Sequence, residues 1–151
     1  MKSLLLYMGL LVLPSWCLTA QEAAVPKVVA VWYGDLIGLY QNLFADLDKA
    51  DDAPSVVQAF RKALAREKAL KLVSRFHALA KKYPHFFRSD SDDETTWTPS
   101  VDWNKVQENY SLALGKYGNV MKKVFSYEKG HPEIKKALAD FGEVIAPLIY
   151  E

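Results

Sequence analysis

The side chains that could do chemistry in this chain are few and far apart. Three histidines, His77, His85 and His131, fall in three different segments, and Met121 is the only methionine beyond Met8. Imidazole and thioether are neutral ligands that together can hold haem iron from opposite sides. His77 and Met121 therefore form a candidate cofactor-binding pair if their two helices face each other. The competing reading is structural: a half-buried, hydrogen-bonded imidazole and a methionine that fills core space. His85 sits in a polar connection, and His131 directly precedes Pro132 at the start of a helix. No two histidines have the one-turn spacing of a helical metal site, so no metal site is expected. Glu67, Glu108, Glu133 and Glu143 are expected mostly on polar helix faces, which argues against inward carboxylates for di-iron chemistry. The acidic run 89–95, SDSDDET, offers closely spaced carboxylates to calcium. It lacks the glycine turn and the distant bidentate glutamate of a helix-loop-helix calcium site, and reads better as a solvated loop.

The densest charge feature is cationic. From Arg61 to Arg88 there are nine basic residues and one acid, Glu67. Arg61, Lys68, Arg75 and Lys82 recur every seven residues, which on one continuous helix draws a ridge along one side. With Lys71 they form a candidate contact for an anionic surface or an acidic protein. The alternative is internal neutralisation by Asp46, Asp48, Asp51, Asp52 and the acidic run. Catalysis has little support. Ser55, Ser74, Ser111 and Ser126 lie within helical patterns, and no glycine-rich phosphate loop, nucleophile elbow or carboxylate pair is present.

These groups must be positioned by the rest of the chain. Its start, Lys2 followed by an apolar run from Leu4 to Leu13, then Pro14, Ser15 and Ala20, has the form of a secretory signal peptide. The run is shorter than the roughly 20 residues that span a bilayer. Cleavage is expected after Ala20. A lipid-modified Cys17 is disfavoured, because Pro14 and Trp16 stand where that processing takes a leucine and a small residue. Cleavage removes Cys17, the only cysteine, and with it any disulfide, thiolate chemistry or covalent haem. Residues 21–27 then form a short tail. Residues 28–151 form one exported, soluble domain in the periplasm or outside the cell. The formal charge of +1 argues against nucleic acid as a partner.

Apolar spacing is helical almost throughout. Trp32, Leu36, Leu39, Leu43 and Leu47 step by three or four, and Tyr40 and Phe44 widen that stripe. After the turn ADDAPS, with Asp52 as cap and Pro54 in the first turn, a second helix is expected to about Tyr83. Its early stripe (Val57, Phe60, Leu64) is out of phase with its late one (Ala65, Ala69, Leu72, Phe76, Leu79, Tyr83), which curvature would absorb. A long connection spans 84–100. A third helix, capped by Thr98 or Ser100, carries Trp103, Val106, Tyr110, Ala113, Tyr117, Val120 and Val124. Gly130 and Pro132 then separate it from a fourth, with Ile134, Leu138, Phe141, Ile145 and Leu148. Pro147 frays or kinks the last turn. Tyr83, Phe86, Phe87, Trp97 and Trp103 are expected to close one end. The pattern predicts an all-α, up-down-up-down four-helix bundle with an adjacent or a diagonal middle crossing.

The twelve residues KADDAPSVVQAF resemble the first turn of the soluble periplasmic b-type cytochromes, through Lys49, Ala50, Asp51, Ala53, Val56 and Ala59. The resemblance implies an exported four-helix bundle. That family holds haem between a methionine early in its first helix and a histidine late in its fourth. Here no methionine or histidine lies between Val28 and Ala50, and none follows His131, so no ligand carries over. The expected function is non-enzymatic binding through the basic ridge. A haem or metal carrier using His77 and Met121 is the alternative.

Overall fold

The computed structural model describes residues 24–87, 101–115 and 117–148. The predicted leader with Cys17, the acidic run, Arg88, Trp97 and the proposed caps Thr98 and Ser100 lie outside the described residues, as does the side chain of His85. The described secondary structure is entirely helical: α1 (Lys27–Lys49), α2 (Ala53–Leu70), α3 (Leu72–Lys82), a 3-10 turn at Pro84–Phe86, α4 (Val101–Gly115), α5 (Tyr117–Glu128), α6 (Pro132–Ile145) and a final 3-10 turn at Ala146–Leu148.

α1 buries the stripe its spacing predicts. Trp32, Leu36, Leu39, Leu43 and Leu47 are all buried, with Tyr40 and Phe44 beside them. Each such side chain removed from water contributes about 1.5–3 kcal/mol, which makes α1 the axis of the core. The chain turns at Ala50, and the Asp52 carboxylate accepts the Ser55 amide at 2.8 Å. That bond satisfies a free amide of the first turn of α2, and the Ser55 hydroxyl together with that amide draws the Asp52 carboxyl below its ordinary range.

The second helix is not continuous. Lys71 adopts the left-handed conformation, φ 53° and ψ 41°, and divides it into α2 and α3. Val57 and Phe60 are buried above the break, and Leu72 and Phe76 below it. Ala65 and Ala69, assigned to the late stripe by spacing, are exposed. The two stripes are about 120° apart around a regular helix. One residue of reversed twist brings both onto the core where smooth curvature would not. α4 ends at Gly115 and α5 begins at Tyr117, which is half exposed rather than buried, while Trp103, Ala113, Val120 and Val124 are buried. In α6, Ile134, Phe141 and Ile145 are buried and Leu138 partly so. Gly130, at φ 104°, makes the turn before it, a conformation that glycine adopts without strain.

α1 packs on α2 and α3 along one side and on α4 and α5 along another, and α6 closes against α2 and α5. Tyr33, near the start of α1, meets Phe87 and Trp103. At the other end, Lys123 and Tyr127 of α5 reach the carbonyls of Asp48 and Asp51. α4 and α5 therefore run parallel to α1, and α2 and α3 antiparallel to it.

Candidate functional site

The cationic segment occupies α2, the Lys71 junction and α3. The junction is held by side chains from both sides. The Glu67 carboxylate is buried and accepts the Val73 amide at 3.3 Å, capping α3. Arg75 donates to the Leu70 carbonyl at 3.1 Å and to Asp35 of α1 at 2.7 Å. The Trp32 indole donates to the Leu72 carbonyl at 3.0 Å. Backbone groups that a helix break would leave unpaired are thereby satisfied. Spacing had placed Glu67 on the polar face. In the structure it turns inward, and the only acid of the segment no longer opposes the exposed cations.

The seven-residue recurrence does not survive as a ridge, because its premise was one unbroken helix. Arg75 is half buried against Asp35, and Lys62 pairs with Asp46 at 3.3 Å. Both acids lie on one strip of α1, eleven residues apart, facing the α2–α3 seam. Internal neutralisation is therefore partial. Asp52 is engaged as a cap instead. Among the described residues, Arg61, Arg66, Lys68, Lys71 and Lys81 are exposed and form no ion pair, and Lys82 lies over the Tyr83 ring at 5.3 Å. Between Ala53 and Lys82 no exposed residue is acidic. Arg66 and Lys81 are exposed as well, although the heptad spacing did not select them, and the Arg66 guanidinium lies toward Gly38 of α1. Their signal was simple exposure on the polar arcs of α2 and α3.

His77 and Met121 do not share an environment. His77 is exposed on α3 with its ring edge-on to Phe76, whereas Met121 is buried on α5. His131 faces Glu133 at 3.0 Å, and the Glu133 carboxyl is held low by its own backbone amide and by that ring. No group of three histidine, cysteine, aspartate or glutamate side chains among the described residues could hold a metal ion.

No family model, curated protein or solved structure matches the chain. Its chemistry must be read from its own surfaces.

Two grooves flank α1. One of about 700 Å³ wraps the start of α2 and is lined by Asp46, Lys49, Gln58, Arg61, Lys62 and Glu133. The other, of about 720 Å³, lies between α1 and α4–α5, where Gln41, Asn109 and Asn119 surround Phe44, Leu112 and Ala113. A ladder of rings runs beside the second: Trp103 to Tyr33 at 5.1 Å, Tyr33 to Tyr110 at 6.1 Å, Tyr110 to Tyr40 at 6.3 Å, and Phe44 to Tyr117 at 5.9 Å. Tyr33 also donates to the Phe86 carbonyl at 2.9 Å. Burial pushes the Tyr33 and Tyr40 phenols well above their ordinary range and raises that of Tyr110. These rings are locked neutral and packed on one another, which suits a structural seam. Among the described residues, no helix is long and apolar enough to cross a membrane.

Proposed function

We propose that this protein is an exported, non-enzymatic binding protein whose α2–α3 face takes an anionic partner. Its architecture is read as a four-column bundle, α1, α2–α3, α4–α5 and α6, with chain directions alternating and the second and third columns diagonal to each other. The observation that carries the function is the absence of any exposed acid from Ala53 to Lys82, beside five exposed cations with no ion pair. A cationic face on a molecule near electrical neutrality attracts a partner through local field rather than net charge. Export rests on the amino-terminal pattern of Lys2, the apolar run and Ala20.

The test is salt-dependent retention on an immobilised polyanion by the protein as its host releases it, with intact mass measured on the same sample. A mass beginning at Gln21 and retention abolished at high salt support the reading. A lipid-bearing mass beginning at Cys17 overturns the free exported form. Flow-through at low salt overturns the anion-binding face.

A further inference from the structure

We infer that the partner of the α2–α3 face is a linear anionic polysaccharide, rather than a bilayer, a nucleic acid strand or a folded protein. This deepens the anion-binding reading and rests on it. The cations are spread lengthwise. Arg61 to Leu70 on α2 and Leu72 to Lys82 on α3 each cover about 14–15 Å at 1.5 Å per residue, and both pack along α1, so the charges follow an extended path longer than a single point anion can use. Apart from His77, the exposed uncharged residues among them are small, Ala65, Ala69, Ser74 and Ala78, so a polymer can approach the backbone closely between the long cationic side chains.

What the face lacks separates the partner classes. The large apolar residues exposed among the described residues are Val28, Val31, Leu112, Tyr117 and Phe125, and all lie on α1, α4 or α5. A helix that beds into a bilayer carries an apolar face for the acyl boundary as well as its basic one. A protein interface needs an apolar or aromatic centre inside its polar rim. Binding of single-stranded nucleic acid draws on exposed aromatics for base stacking. On α2 and α3 no large aliphatic side chain is exposed, and the single exposed ring, His77, lies edge-on to Phe76 and offers no run of stacking platforms. Charge along a line, with no apolar anchor, fits a chain of sulfated or carboxylated sugars.

The experiment measures binding of fluorescent heparin to the full chain between 50 and 200 mM salt. In parallel, it tests phosphatidylglycerol vesicles, oligo-dT and a sulfated disaccharide. Counterion release from a flexible polyanion contributes a slope near −0.7 per cation engaged. Six cations give a slope of about −4, a loss of roughly 300-fold across that range. The triple variant Lys68→Gln, Lys71→Gln, Lys81→Gln alters only exposed side chains and should lose roughly 20-fold across the same range, with weaker binding at the low-salt end. The disaccharide should fail to compete. Far-UV helicity of the variant reports its folding, and each lysine is also replaced singly. Heparin binding that is indifferent to all these substitutions, or matched by oligo-dT, overturns the inference. Vesicle binding lost in the triple variant without heparin binding overturns the polysaccharide and leaves the anion-binding face intact. Binding to none of the probes overturns both.

Discussion

The two sides of α1 solve the same packing problem with different chemistry. Against α2–α3, α1 presents Asp35 and Asp46 to Arg75 and Lys62, and its Trp32 indole to a backbone carbonyl. Against α4–α5 it presents Tyr33, Tyr40 and Phe44 to Tyr110 and Tyr117. The α2–α3 column breaks at Lys71, and side chains from within the column and from across the seam tie that break down. The outer surfaces diverge accordingly. The first is cationic with no large apolar side chain exposed, and the second displays Leu112 and Tyr117 at 67% and 51% exposure beside a carboxamide-rimmed groove. A column that sends its one acid inward to cap a helix leaves its cations outside, so the structural device at Lys71 and the cationic face are one arrangement.

The largest effect that separates the two seams is expected in alkali. Tyr33 and Tyr40 ionise in the unfolded chain near their ordinary value of 10.0, while burial keeps them neutral in the folded state. Their folded values are raised, so their contribution is full below pH 10 and falls as pH rises beyond it. The thermal midpoint, followed by circular dichroism from pH 8 to 12, should drop steeply above 10. The double variant Tyr33→Phe, Tyr40→Phe should flatten that drop. An unchanged alkaline limb in the variant would break the comparison at its tyrosine side.

Leu72→Ala comes next, at about 2–5 kcal/mol of lost stability in urea titration, because Leu72 is fully buried beside the junction. Leu112→Ala on the other column should change stability by no more than about 0.5 kcal/mol. Equal costs would mean that the two columns are not distinguished by burial as described.

Glu67→Ala removes the acceptor of the Val73 amide and should cost about 1–3 kcal/mol, with Glu67→Gln retaining an acceptor oxygen and recovering most of the loss. A glutamine no better than alanine would show that the carboxylate is held for another reason. The smallest pair differs in mechanism. Lys71→Gly relieves a left-handed residue and should stabilise by about 0.5–1 kcal/mol. Gly118→Ala in α5 should stabilise by a similar amount, about 0.5–1 kcal/mol, since a Cβ there meets open space. Were Lys71→Gly destabilising, the break at that residue would be in question. A loss at Gly118 would place a neighbour against it.

Local chemistry was legible wherever the deciding partner lay within one or two turns. The α1 stripe from Trp32 to Leu47, the Asp52 cap on Ser55 and the glycine turn at Gly130 all follow from 3.6-residue spacing and capping rules, and all stand in the structure. The cationic richness of residues 61–82 is likewise a property of composition. Tertiary packing decided what those patterns left open. The out-of-phase stripes around Leu64 and Leu72 admit a curve or a break. Only the fixed position of α1, with Trp32 aimed at the Leu72 carbonyl and Asp35 at Arg75, selects a break at Lys71. Glu67, seven residues after Phe60, stays on the buried side of α2, while the break sets Arg75 toward α1, and together they decide which cations remain at the surface. The same holds for Tyr117, His77 and Met121. Periodicity gives each an angle around a helix axis, but which side of that axis is covered depends on neighbours that are distant in sequence.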